Sequence, residues 1–165
     1  MGDERMISHV SLHNQEPIAA AMEIALAAAK SAWHEHGDVP VGAVVLDPNG
    51  LLIATGVNER ELRHDPTAHA EVVAIRKAAD KLDNWRLDGC TLVVTLEPCA
   101  MCTGVVMQSR LSRLVFGAWD EKAGAVGSVV DLIRDPRALT KVEVISGVLA
   151  ERSSALLKEF FAQSR

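Results

Sequence analysis

His69, Glu71, Cys99 and Cys102 are the residues whose types and spacing could do chemistry. Cys99 and Cys102 stand at i and i+3, so at a helix start both sulfurs can face one point. A helix N-terminus also favours thiolate over thiol. His69 adds a nitrogen donor. One nitrogen and two sulfurs suit zinc and leave its fourth tetrahedral position to water. A closed structural zinc site would want a fourth protein ligand, and the chain has no second C-x-x-C. Glu71, two residues beyond His69, can take a proton from zinc-bound water and return it to substrate and leaving group. Zinc lowers the pKa of that water to about 7. That equipment suits hydrolysis of an amino group from an aromatic ring. Each piece alone is ordinary: a lone histidine is usually a satisfied core or surface residue, and a lone C-x-x-C is more often redox or incidental. The combination, with a strand and then Pro98 before the first cysteine, points to catalytic zinc.

These residues need elements to hold them. The chain has 165 residues, 48% hydrophobic and 24% charged, which fits one globular domain. Met1 to Gln15 shows no periodicity and reads as a flexible lead-in, so the expected domain is 16–165. Ile18, Met22, Ala25, Leu26, Ala29 and Trp33 recur at helical spacing up to Gly37. Val39–Leu46 and Leu51–Val57 read as strands around the turn Asp47-Pro48-Asn49-Gly50. Asp65-Pro66-Thr67 signals a helix start, with the helix running from Ala68 to Leu82. Thr91–Leu96 has the apolar, β-branched run of a strand buried on both faces. Pro98 opens a helix to Gln108, and Leu111–Ala118 is the next strand. Asp120–Asp131 is glycine-rich and ambiguous, Lys141–Ser146 alternates as a strand, and Leu149–Gln163 is an amphipathic helix. Strands separated by helices imply crossovers, hence a three-layer α/β/α sandwich on a five-stranded mixed sheet. Cys90, Trp33 and Trp85 read as packing residues.

Seventeen basic against 22 acidic residues give a net charge of −5, which excludes a strongly basic nucleic-acid binder but not a local basic patch. Arg60, Arg63, His64, Arg110, Lys122 and Lys158 are candidates for such a patch. Three cysteines are an odd number for a disulfide framework. No uncharged apolar run reaches membrane-spanning length, and no secretory leader pattern opens the chain, so the expected location is the cytoplasm.

H-x-E followed by P-C-x-x-C is the signature of the zinc deaminases. From Asp38 to Phe161 the chain resembles the bacterial tRNA-specific adenosine deaminase family, a branch of the cytidine-deaminase-like enzymes. The resemblance rests on DVPVGAVV from Asp38, HDPTAHAE from His64, TLEPCAMCTG from Thr95, FGAWDEKAGAVGS from Phe116, and LL-x-x-FF from Leu156. The metal motif is common to all cytidine-deaminase-like enzymes; the last two segments are more particular to the tRNA branch. The resemblance implies one Zn2+ per subunit on His69, Cys99 and Cys102, with Glu71 as proton shuttle. It implies substrate contacts from Asn58, the Ala70 amide, Val41 and Asp120. It implies a homodimer acting on the anticodon stem-loop of a tRNA, forming inosine at the wobble position (34) of an arginine tRNA with anticodon ACG. Trp119 departs from the basic residue many relatives carry there, and the C-terminus has one Arg in place of a basic cluster. Two rivals stand beside this expectation. A deaminase of free guanine, cytosine or cytidine would share the zinc centre. A zinc-stabilised RNA-binding module would have no use for Glu71.

Overall fold

The computed structural model of the chain describes residues 15–164. The expected flexible lead-in lies outside the described residues except for Gln15, where the first helix begins. The elements run α1 (Gln15–His36), β1 (Gly42–Leu46), β2 (Leu52–Val57), α2 (Arg60–Arg63), α3 (Ala70–Leu82), β3 (Thr91–Leu96), α4 (Ala100–Gln108), β4 (Arg113–Ala118), β5 (Glu143–Ile145) and α5 (Ala150–Gln163).

Five strands form one mixed sheet in the order β2-β1-β3-β4-β5. β1 runs antiparallel to both neighbours, while β3, β4 and β5 are parallel. Alternate strand residues point to opposite faces, and the two cores follow that alternation. Ala43, Val45, Leu92, Val94, Leu114 and Phe116 pack under α3 and α4. Val44, Leu46, Val93 and Val115 pack under α1 and α5. The result is the α/β/α sandwich expected from the sequence. Each fully buried Val or Leu contributes about 1.5–3 kcal/mol relative to exposure, so the central strands β1, β3 and β4 anchor the fold. The Arg113–Glu143 pair at the β4–β5 edge is half exposed and adds little.

Several boundaries differ from the expectation. β1 begins at Gly42 and not at Val39. Pro40 has no N–H to give a ladder, and the Val39 carbonyl instead accepts bonds from Val41 N and Asn58 Nδ2. The segment therefore leaves the sheet and lies at its end. The helix expected from Ala68 starts at Ala70, because Asp65 spends its carboxylate on Thr67 N and Oγ1 in a turn of its own. His69 is thus the extended N-cap of α3 and not a first-turn residue. Likewise Cys99 is the extended N-cap of α4. The one-turn helix α2 was not expected; buried Asp38 accepts the Glu61 and Leu62 N–H groups and pins it. Trp85 does not pack in the core: it is 61% exposed, with the Arg86 and Arg110 guanidiniums over its ring. Cys90 is buried as expected. Among the described residues, no helix is long and apolar enough to cross a membrane.

Candidate active site

The ends of β1, β2 and β3 and the starts of α3 and α4 meet at one edge of the sheet. Close packing holds them there. A Cβ on Gly56 would stand 2.5 Å from the Ala70 carbonyl oxygen and the Ala74 nitrogen, so only glycine lets β2 approach α3 this closely. Backbone bonds from Glu59 N to Ala68 O and from Asn58 N to Val41 O tie the connecting loops together.

A cleft of about 230 Å³ opens at this edge. It is lined by Val41, Asn58, His69, Ala70, Glu71, Cys99 and Asp120, with Val39, Arg60, Leu96, Glu97 and Ala123. Cys102 lies fully buried behind it, one turn into α4. All eight residues singled out from the sequence therefore converge, although they span from residue 41 to residue 120.

The donor atoms of His69, Cys99 and Cys102 all lie within 4.8 Å of one another. His69 Nδ1 is 3.6 Å from Cys99 Sγ and 3.4 Å from Cys102 Sγ. Tetrahedral zinc, with Zn–S of about 2.3 Å and Zn–N of about 2.0 Å, places such donors roughly 3.6 Å apart. The set fits zinc, and the two helix N-termini add positive potential where thiolates must sit. Zinc is the metal this site takes. Without the metal, the sulfurs share a proton. The hydrogen bond from Cys102 pulls the Cys99 thiol down to about 3. Cys102 is pushed up, by that same bond to Cys99 and then by burial. His69 is raised, chiefly by its hydrogen bond to Cys99.

Two of the carboxylates that border the cleft, Glu71 and Glu97, are in opposite electrostatic states. Glu71 is 4% exposed, and burial raises it to about 7. A carboxyl poised there can both accept and donate a proton near neutral pH. Glu97 is equally buried, and that burial opposes its charge. Its hydrogen bonds outweigh burial and hold it below the usual carboxylate value. Oε1 accepts from Val126 N (3.0 Å) and Ser128 N (3.1 Å), and Oε2 from Asp120 N (2.9 Å). The sequence reading gave Glu97 no role. Its signal was a single charge closing an uncharged, buried strand immediately before a proline.

Asn58 is buried and spends Nδ2 on Val39 O (3.4 Å) and Oδ1 on Arg60 N (3.2 Å). A second amide proton and a second lone pair remain for a ligand. The Ala70 N–H sits in the first turn of α3, where no intrahelical acceptor exists. Asp120 Oδ1 accepts from Lys122 N and Ala123 N, which folds the loop back under its own carboxylate. Arg60, at the mouth, is exposed and forms no ion pair among the described residues.

The family model for the cytidine and deoxycytidylate deaminase zinc-binding region matches residues 15–118. A tRNA-specific adenosine deaminase from Haemophilus influenzae is 48% identical over 129 residues, covering 78% of this chain and 75% of that protein. A structure solved in work on A-to-I editing by tRNA:A34 deaminases superposes with a TM-score of 0.79 at 41% identity, covering 84% of this chain and 99% of that one. A guanine deaminase from Nitrosomonas europaea superposes with a TM-score of 0.69 at 30% identity, covering 90% and 85% of the two chains. Matched donors, a poised buried carboxyl and these likenesses together place the chain in the cytidine and deoxycytidylate deaminase family, as a zinc-dependent hydrolytic deaminase.

Proposed function

We propose that this chain deaminates adenosine to inosine at the wobble position (34) of tRNA, with the ACG-anticodon arginine tRNA as its substrate. The observation that carries the reading is buried Glu71 beside three zinc donors in a cleft with room for one base. Clefts for drug-sized ligands run to about 300–1,000 Å³, so this one admits an unstacked nucleotide and not a stem. Relatives named for tRNA adenosine deamination match this chain at 41–48% identity, which supports the choice of base.

His69 Nδ1 and the Cys99 and Cys102 sulfurs would hold zinc. Zinc, when bound, supplies Lewis acidity that makes water nucleophilic at neutral pH. The loop adenosine is flipped out of its stack into the cleft. Val41 walls the base, and the spare Asn58 amide and the Ala70 N–H fix its edge. Asp120 stands beside the nucleotide. Glu71 takes a proton from the attacking water and gives it to the ring nitrogen. It carries the second proton to the 6-amino group as C6 gains oxygen and loses ammonia. Burial suits Glu71 to both transfers.

Residues 16–165 act as one domain in this reading, in the cytoplasm, as a homodimer. Support for the dimer comes from α4, which is apolar apart from buried Thr103 and the terminal Gln108. Met101, Gly104, Val105 and Met107 are left only half buried.

Likeness to a guanine deaminase favours one second reading, hydrolysis of a free nucleobase. Incubating zinc-loaded protein with unmodified ACG arginine tRNA decides between them. A G-starting anticodon and free adenosine, cytidine and guanine run in parallel. Inosine confined to position 34 is the expected result. Ammonia from a free base with no inosine in tRNA overturns it.

A further inference from the structure

We propose that Glu97 is a positioning residue. Its carboxylate holds the Asp120–Ser128 loop against the cleft and so sets how tightly the enzyme takes its nucleotide. The proposal rests on the reading of this site as a nucleotide deaminase.

The geometry is that of a clamp. Glu97 closes β3, two residues before Cys99, and its side chain meets the backbone N–H groups of Asp120, Val126 and Ser128. The Ser128 hydroxyl lies between Glu97 Oε2 and the Asp120 carbonyl oxygen. Pairing of Cys99 with Gly124 and the Ala125 N–Pro98 O bond (2.9 Å) lay the loop along the segment that bears the first sulfur ligand. Gly124 makes the approach possible: a Cβ there would stand 2.2 Å from Glu97 Oε2 and from Ser128 Oγ. Three backbone N–H donors and the Ser128 hydroxyl converge on this one buried carboxylate and turn it toward the loop. Its effect runs through the loop, which brings Asp120 and Ala123 to the cleft wall.

Glu97→Gln keeps the shape but turns an amide –NH2 against N–H groups that need acceptors. The test is steady-state kinetics of the full-length, zinc-loaded variant on the tRNA substrate. KM is expected to rise tenfold or more, with kcat within threefold of wild type and zinc still one per chain. A merely structural role would lower the active fraction and leave KM alone. Ser128→Ala keeps all three backbone donors and is expected to raise KM less. Gly124→Ala, with Glu97 intact, is expected to raise it in the same way, so the proposal stays testable if Glu97→Gln folds poorly. In an Asp120→Ala background the Glu97→Gln penalty on KM is expected to shrink, because neighbours acting through one loop are not additive. Unchanged KM in all the clamp variants, loss of kcat alone, or loss of zinc overturns the proposal. If wild type acts only on a free base, the substrate reading has failed, and the same KM-against-kcat split read with that base tests Glu97. If Asp120→Ala is silent while Glu97→Gln raises KM, the role given to Asp120 falls and the clamp stands.

Discussion

Replacing Glu71 by Gln should separate activity from stability in opposite directions. The proton shuttle is lost, and general acid–base catalysis of this kind is worth about 10²–10⁴-fold in rate. Inosine formation should fall by at least that range with one zinc per chain retained, since Gln touches none of the three donors. Stability responds the other way. Burial raises Glu71 from its ordinary 4.5 to about 7. Between those pH values the folded metal-free chain binds more protons than the unfolded one, so stability falls as pH climbs through that window. The fall is absent below pH 4.5 and complete above pH 7, and amounts to roughly 3 kcal/mol. Gln carries no such cost. Chelator-treated Glu71→Gln protein should therefore melt with wild type at pH 4.5 and above it at pH 8. For a domain of this size the gap is up to roughly 6–12 °C. Circular-dichroism melts at both pH values and an inosine assay on the zinc-loaded proteins read the two effects. Turnover within tenfold of wild type would refute the shuttle, and parallel melts at both pH values would refute the buried charge.

Zinc affinity should weaken by tenfold or more for each pH unit from 8 down to 6. Loading must expel the proton that Cys102 holds and empty His69 Nδ1. Competition against a chelator measures this, and a flat profile contradicts the donor assignment. Gly56→Ala forces β2 and α3 apart at 2.5 Å contacts with the Ala70 carbonyl and Ala74 nitrogen. It should cost about 1–3 kcal/mol, and activity should drop with it, because Asn58 and His69 ride on those two elements; guanidinium unfolding gives the first number. Arg60→Glu should raise KM for RNA and lower the salt slope of binding by about one. Zinc content and hydrolysis of any free base should not change, and an unchanged slope would remove Arg60 from the RNA path.

The metal donors were legible because their chemistry is written in residue type and short spacing. Cys99 and Cys102 need only a helix start to converge, and Pro98 announces one. The layers were legible because β3 is an uncharged run of Val, Leu and Thr while α5 is periodic. What the sequence hid depends on long-range bonds. The late start of β1 at Gly42 follows from Pro40 and from Asn58 reaching back to Val39, two signals 18 positions apart. The one-turn α2 exists because Asp38, more than 20 positions earlier in the chain, accepts two of its N–H groups. Trp85 looked like core by type alone, and type cannot tell a buried ring from one covered by two arginines. Glu97 stayed hidden because three of its four partners are backbone N–H groups, which nearly every residue possesses and no sequence pattern marks.

That last property bears on how the enzyme can change. The Glu97 clamp grips main chain, so the exposed side chains of Glu121, Lys122 and Ala123 are free to vary while the loop keeps its course. Only Gly124, with no room for a Cβ, and Ser128 are constrained by it. A library randomised at those three positions, with Glu97, Gly124 and Ser128 fixed, would explore new substrates on a scaffold whose metal centre and proton relay stay in place.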